Sequence, residues 1–183
     1  MIHVIEGPDK SGKSSFAKAW SQMKGLPLIP HEGMEDIKDG LTDGEVYYTT
    51  KRRDLDMFRM AEAGFDFVVD RGFVTVITYG WAFHRSRYNL AYANELLKEL
   101  HKRGLLALYR MNTPLETVLR RFKREEEHWE GKETCKRIYA AYELFWKEYG
   151  ANLDPFLVTG EIIGEKKAWK VERRGQTESC QEV

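Results

Sequence analysis

Gly7-Pro8-Asp9-Lys10-Ser11-Gly12-Lys13-Ser14 is the stretch whose reading decides how this chain folds. It has the form G-x-x-x-x-G-K-[ST], between a short apolar run, Ile2 to Ile5, and a helix-prone segment, Ser14 to Met23. Glycines at both ends let the backbone curl round an anion with several N–H groups turned inward. The positive end of the following helix strengthens that field. In a loop of this kind Lys13 reaches the outer phosphates of a nucleotide and Ser14 offers its hydroxyl to Mg²⁺. The expectation is a nucleoside triphosphate site, ATP with Mg²⁺, cradled by residues Gly7 to Ser14 together with Ser15.

Bulk properties narrow the class. A length of 183 residues suits one α/β domain with a buried core. Hydrophobic content of 42% and charged content of 32% are ordinary for a soluble globular protein. With 29 basic against 29 acidic residues, no global positive field draws the chain to nucleic acid or anionic membrane. Cys135 and Cys180 are isolated, which points to a reducing compartment rather than a disulfide framework or zinc site. No apolar run approaches membrane length and the first strand follows the N-terminus directly, so the expected location is cytoplasmic.

Working outward from the loop, strand-like runs alternate with amphipathic helical stretches, the pattern of a parallel sheet covered on both faces. Leu26 to Pro30, Phe65 to Val69, Leu105 to Tyr109 and Pro155 to Val158 read as further strands. Glu45 to Ala63, Phe73 to Phe83, Asn89 to Arg103, a segment starting at Pro114, and Glu133 to Tyr149 read as helices. The expected architecture is a three-layer α/β/α fold with about five parallel strands in one domain over residues 1–172. Residues 173–183 read as a disordered tail. Trp81, Trp146 and Trp169 read as packing residues, and His84-Arg85-Ser86-Arg87 as an exposed helix end.

Two further signals carry chemistry. Asp70-Arg71 ends the Val68-Val69 run, and functional residues of open α/β sheets gather at the carboxyl ends of strands, where the phosphate loop also leaves the sheet. A carboxylate there holds Mg²⁺ through water, and a guanidinium grips phosphate in bidentate fashion. The charged stretch Arg120 to Glu130 reads as a lid over about residues 120–132. From it Arg121 and Arg124 would neutralise charge on a transferring phosphoryl group.

The order of these motifs resembles the thymidylate kinase family within the nucleoside monophosphate kinases. Glu6-Gly7-Pro8-Asp9-Lys10-Ser11-Gly12-Lys13-Ser14 matches that family's Glu-Gly-x-Asp-x-x-Gly-Lys-[ST]. The resemblance implies a P-loop kinase fold, with Asp9 positioning the acceptor sugar and Lys10 standing where some members carry a catalytic Arg. It implies that Tyr48 stacks on a pyrimidine ring, that Arg52 binds the ring's edge, and that Tyr79 presses where a 2′-hydroxyl would lie. Arg71 would join the acceptor contacts. Homodimers are common in this group, and a viral member would work in the host cytoplasm.

The chain also departs from the family. Asp-Arg-Tyr is here Asp70-Arg71-Gly72, and Pro-Glu-Arg is Pro30-His31-Glu32-Gly33. No arginine occurs between Met1 and Lys51, so the arginine that grips the acceptor's phosphate is missing, with His31 or Arg71 as substitutes. The family's C-terminal helix is replaced by the polar segment Glu161 to Arg174. Three functions therefore compete: an ATP-dependent kinase for a deoxypyrimidine monophosphate, a kinase for a hydroxyl acceptor, and an ATPase or regulator without an acceptor. The hydroxyl could belong to a deoxynucleoside or to hydroxymethylated uracil in viral DNA, with Asp9 or Asp70 as base. Under the DNA variant, Arg85–Arg87 and Lys51–Arg53 should share a face. The ATPase reading is the weakest by residue type, because Asp70 is followed by Arg and not by a second carboxylate.

Overall fold

The computed structural model describes residues 1–30, 43–84, 87–121, 131–163 and 166–181. Its strands are β1 (Ile2–Glu6), β2 (Leu28–Ile29), β3 (Phe67–Asp70), β4 (Leu106–Met111), β5 (Phe156–Ile163), β6 (Lys166–Arg173) and β7 (Gln176–Gln181). Its helices are α1 (Lys13–Lys24), α2 (Asp43–Glu62), α3 (Phe73–Ala82), α4 (Arg87–Lys102), α5 (Leu115–Arg120) and α6 (Lys132–Leu153). The strands form one sheet in the order β2-β3-β1-β4-β5-β6-β7. The first five in that order are parallel, and β6 and β7 join as an antiparallel hairpin.

Register places the site. β1 lies between β3 and β4, with Ile5 opposite Asp70 and Tyr109. The loop leaving β1 and the carboxylate ending β3 therefore emerge side by side. Alternation along β1 sorts its side chains to two faces. Ile2 and Val4 enter a core with Met57 and Ala61 of α2, Phe73 and Ile77 of α3, Leu97 and Leu100 of α4, and Tyr142 and Phe145 of α6. Ile5 turns to the opposite face, where Phe16 and Trp20 of α1 meet Val68, Tyr109 and Val158. This is the layered α/β arrangement the alternating pattern predicts.

The C-terminal part corrects two expectations. The sheet has seven strands rather than about five, and residues 176–181, expected to be a disordered tail, form β7. Among the described residues of this hairpin, Trp169, Val171 and Cys180 are the apolar ones turned toward α1, where Trp169 packs on Phe16 with ring centroids 5.8 Å apart. The flanking polar residues hide that alternation from a hydrophobicity reading. The turn is Arg174-Gly175, with φ of 45° and 83°, the two positive values a two-residue hairpin turn requires. Arg-Gly is not one of the sequence pairs that announce such a turn. Trp146 and Trp169 are buried and Trp81 packs against the first core, as expected of packing residues. Cys135 and Cys180 are both buried, and neither is in a disulfide.

Candidate phosphate-transfer site

The loop between β1 and α1 takes its shape from two glycines. A Cβ on Gly7 would lie 2.8 Å from Cβ of Met111 on β4, so nothing larger passes that strand. Gly12 caps α1 with φ 96°, the left-handed region that glycine enters without strain. Thr113 Oγ1 donates to the Ser11 carbonyl at 2.9 Å and ties the loop to the chain following β4. Arg121 Nη1 donates to the Lys10 carbonyl at 3.0 Å. That contact fixes the loop's outer edge and leaves a cation against it.

Glu6, the residue before the loop, is fully buried and turned the other way. Its Oε1 accepts from the backbone N–H groups of Gly72, Val74 and Thr75 at 2.8, 3.1 and 3.3 Å. Its Oε2 accepts from Thr75 Oγ1 at 2.7 Å and Tyr142 OH at 3.3 Å. A carboxylate here neutralises the positive end of α3 and occupies its free donors. Burial pushes Glu6 above the usual carboxylate range, while Thr75, Gly72 and the charge of Lys13 pull it back. Its position locks β1 to α3 and with them the two halves of the site.

Four charged or polar groups meet in front of the loop. Lys13 is buried, its Nζ donating to the Pro8 carbonyl at 2.6 Å and lying 3.9 Å from Asp9 Oδ1. Arg71 Nη2 bonds Asp9 Oδ1, Tyr79 OH donates to Asp9 Oδ2, and Arg71 Nη1 donates to Tyr79 OH at 3.1 Å. Both Asp9 oxygens are thus engaged. Arg71 Nε is buried with no hydrogen-bond partner among the described residues. Arg71 also holds a left-handed backbone with φ 68°, as does Lys10 with φ 60°. Non-glycine residues in that region cost about 1–3 kcal/mol each and collect where surrounding structure needs their side chains placed.

The electrostatics follow from burial and pairing. Lys13 is pushed down to about 7, first by desolvation and then by Arg71, against the pull of Asp9, Asp70 and Glu6. Desolvation works to lower Arg71, but Tyr79, Asp9, Tyr142 and Asp70 together hold it charged more firmly than a free arginine. Tyr79 is driven well above its ordinary value by burial, so its hydroxyl stays protonated. A firmly charged Arg71, a Lys13 that an anion would hold protonated and one clamped carboxylate therefore face the loop, an arrangement that an anionic ligand completes.

Asp70 ends β3 beside this cluster. It is 5% exposed, and its Oδ1 is buried without a hydrogen-bond partner among the described residues. A bare carboxylate oxygen at the loop's edge suits Mg²⁺, which takes oxygen donors and keeps several waters. Ser14, exposed in the first turn of α1, supplies a hydroxyl nearby.

Of the residues expected from sequence, the structure brings together Asp9, Lys13, Asp70, Arg71 and Tyr79, with Lys10 and Arg121 at the loop's rim. Arg52 makes no hydrogen bond or ion pair with them among the described residues. It lies on the exposed side of α2 with Asp56 and Arg59, while Asp54, Met57 and Ala61 face inward. Tyr48 falls within α2, but its side chain lies outside the described residues, as do His31, Arg124 and most of the 120–132 lid. Arg85 is likewise outside them, and so is the side chain of Arg87. Thr113, Met111 and Tyr142 escaped sequence reading because each reaches the site from more than 100 residues away.

No protein-family model matches the chain, and no curated protein matches it. Solved structures do. A deoxyadenosine kinase from M. mycoides, solved with dCMP and a flexible dCDP, aligns with a TM-score of 0.53 at 17% identity, over 86% of this chain and 89% of that one. A thymidylate kinase from Ehrlichia chaffeensis gives 0.55 at 15% identity, over 89% and 88%. A shikimate kinase from Acinetobacter baumannii gives 0.50 at 15%, over 89% and 83%. The chain has the fold these P-loop kinases share, with the seven-stranded sheet described above. Among the described residues, no helix is long and apolar enough to cross a membrane.

Proposed function

We propose that this protein is a kinase that transfers the γ-phosphoryl group of ATP to the phosphate of a deoxypyrimidine nucleotide, thymidylate or a close analogue. The observation that carries the reading is the clamp on Asp9. With Oδ1 held by Arg71 and Oδ2 by Tyr79, Asp9 is a poor proton acceptor. Glu6 is spent on the start of α3. An acceptor that arrives as an anion needs no base, and Arg71 faces it with an Nε that has no hydrogen-bond partner among the described residues. That guanidinium substitutes for the arginine absent from residues 1–51.

In this scheme the loop and the start of α1 hold the donor phosphates through backbone N–H groups. Lys13 exchanges the Pro8 carbonyl for a phosphate oxygen. Arg121 adds charge from the loop's rim, the positioning and neutralisation that phosphoryl transfer depends on. Ser14, and Asp70 through water, would hold Mg²⁺, which when bound neutralises charge on the phosphate oxygens. An acceptor phosphate oxygen forms the new bond to the γ-phosphorus as the bond to the bridging oxygen breaks, and ADP leaves. The Tyr79 ring beneath the sugar favours deoxyribose. The pyrimidine preference is supported by resemblance to thymidylate kinases.

A hydroxyl acceptor is the second reading, favoured by the bare Oδ1 of Asp70, which could accept a proton. Labelled ATP offered with nucleosides, nucleoside monophosphates and hydroxymethyluracil-containing DNA separates the two. Label entering monophosphates alone supports the proposal. Label entering only nucleosides or DNA overturns it, and full activity in Lys13→Ala would overturn every reading of the loop.

A further inference from the structure

Arg71 stands in a left-handed backbone, φ 68°, with the peptide groups on both sides of it pinned. Its own N–H donates to the Ile5 carbonyl at 3.1 Å, and the next one, that of Gly72, donates to Glu6 Oε1 at 2.8 Å. The start of α3 lies so close to β1 that a Cβ on Gly72 would meet Val4 Cγ1 at 3.0 Å and Glu6 Oε1 at 3.7 Å. A non-glycine residue keeps such a backbone only where its surroundings hold it, and here the Glu6 carboxylate does so. Three backbone N–H groups bind Glu6 Oε1, but the plane of the carboxylate is set by what binds Oε2. Thr75 Oγ1 donates to Oε2 at 2.7 Å. The Tyr142 hydroxyl lies 2.7 Å from Thr75 Oγ1 and 3.3 Å from Oε2. With the Thr75 proton committed to Glu6, it is Tyr142 that donates to Thr75. Burial drives Tyr142 well above its ordinary value, so it keeps the proton this chain of donors requires. The chain runs from α6 through α3 to β1 and ends one peptide from Arg71.

We propose that Thr75 and Tyr142 are positioning residues for phosphoryl transfer, holding the Glu6 carboxylate so that the turn at Arg71 aims its guanidinium at the anion of the acceptor. This rests on the nucleotide-acceptor reading proposed above. Tyr142 and Glu6 are buried, so they act through Arg71 and not on the substrate. Packing alone does not call for these hydroxyls, since Val and Phe would fill the same space. What the hydroxyls add is direction, because a hydrogen bond weakens steeply away from its axis. A Glu6 bound on one oxygen alone would turn about its last side-chain bond and loosen its hold on Gly72.

Steady-state transfer from ATP to dTMP tests the assignment in wild type, Thr75→Val, Thr75→Ser and Tyr142→Phe, and in the same variants combined with Arg71→Ala. Thr75→Val has the same shape without the hydroxyl. It should raise the KM for dTMP about tenfold while the KM for ATP changes less than about twofold. Thr75→Ser should recover most of that loss. Tyr142→Phe should cost about threefold, and adding it to Thr75→Val should cost no more than Thr75→Val alone, because the two act in series. In the Arg71→Ala background, Thr75→Val should change the KM for dTMP less than about twofold, since its effect travels through the missing guanidinium. A merely structural role would add its full loss there. Thr75→Val and Tyr142→Phe each decide the matter alone should the other fail to fold. An unchanged KM for dTMP in them, equal losses for ATP and dTMP, or full additivity with Arg71→Ala overturns the assignment and leaves the proposed function standing. Wild-type protein that phosphorylates no monophosphate overturns both.

Discussion

Nucleotide affinity should carry the signature of Lys13 losing its proton. In the ligand-free protein this lysine is 3% exposed and pushed down to about 7 by burial and by Arg71. A bound triphosphate places several negative charges beside Nζ, so the complex holds the proton far more tightly than the free protein. Binding therefore couples to proton uptake above pH 7, and affinity must fall as pH rises. With half the lysines charged at pH 7 and about one in thirty at pH 8.5, the dissociation constant should rise about 16-fold, roughly 1.6 kcal/mol. Calorimetric titration with a non-hydrolysable ATP analogue in excess Mg²⁺ would measure it. Two buffers of different ionisation enthalpy would count the protons taken up. Lys13→Arg cannot lose its proton in this range and should abolish the slope. A flat wild-type profile between pH 7 and 8.5, or an equal slope in Lys13→Arg, would refute the reasoning.

Further outcomes follow from other parts of the molecule. Trp169→Ala removes the ring that joins the hairpin to Phe16 and should cost about 3–5 kcal/mol in a urea titration; a loss under 1 kcal/mol would mean the hairpin is dispensable to the core. Tyr79→Phe keeps the ring but deletes the hydroxyl between Asp9 and Arg71, and should raise the acceptor's KM about tenfold while sparing ATP. Asp54, fully buried between α2 and α4, accepts from Tyr92 OH, with Arg53 Nη2 3.6 Å from its other oxygen. Burial pushes it up to about 6, with Arg53 and Tyr92 opposing. A raised folded value means the native state binds the extra proton, so this carboxyl's contribution to stability falls as pH rises from about 4 through 6. Asp54→Asn should remove that slope and gain roughly 2–3 kcal/mol over wild type at pH 7.5. Equal stability differences at pH 5 and pH 7.5 would contradict it.

The phosphate loop was legible because its conformation is a local matter. Gly7, Gly12, Lys13 and the flanking strand and helix are near neighbours, and the backbone angles they need are written in residue type. Asp70-Arg71 was legible too, since a carboxylate ending a buried apolar run must emerge at the same sheet edge. The inward face of α2 was legible in part: Phe58 and Ala61 pack on the core as the apolar pattern predicts, but the buried Asp54 among them depends on Tyr92 of α4, which no local pattern announces. The hairpin was not legible. Trp169, Val171 and Cys180 count as apolar partners only once α1 offers Phe16 and Trp20 on the bare face of the sheet.

The phosphate loop could therefore be read from eight consecutive residues, whereas the side chains gathered in front of it were decided by tertiary packing. Arg71 meets Asp9 across 62 positions, and Tyr79 meets it across 70. Such pairings depend on which faces of several helices turn toward one cleft. That orientation is set by the summed burial of two cores rather than by any short run of sequence.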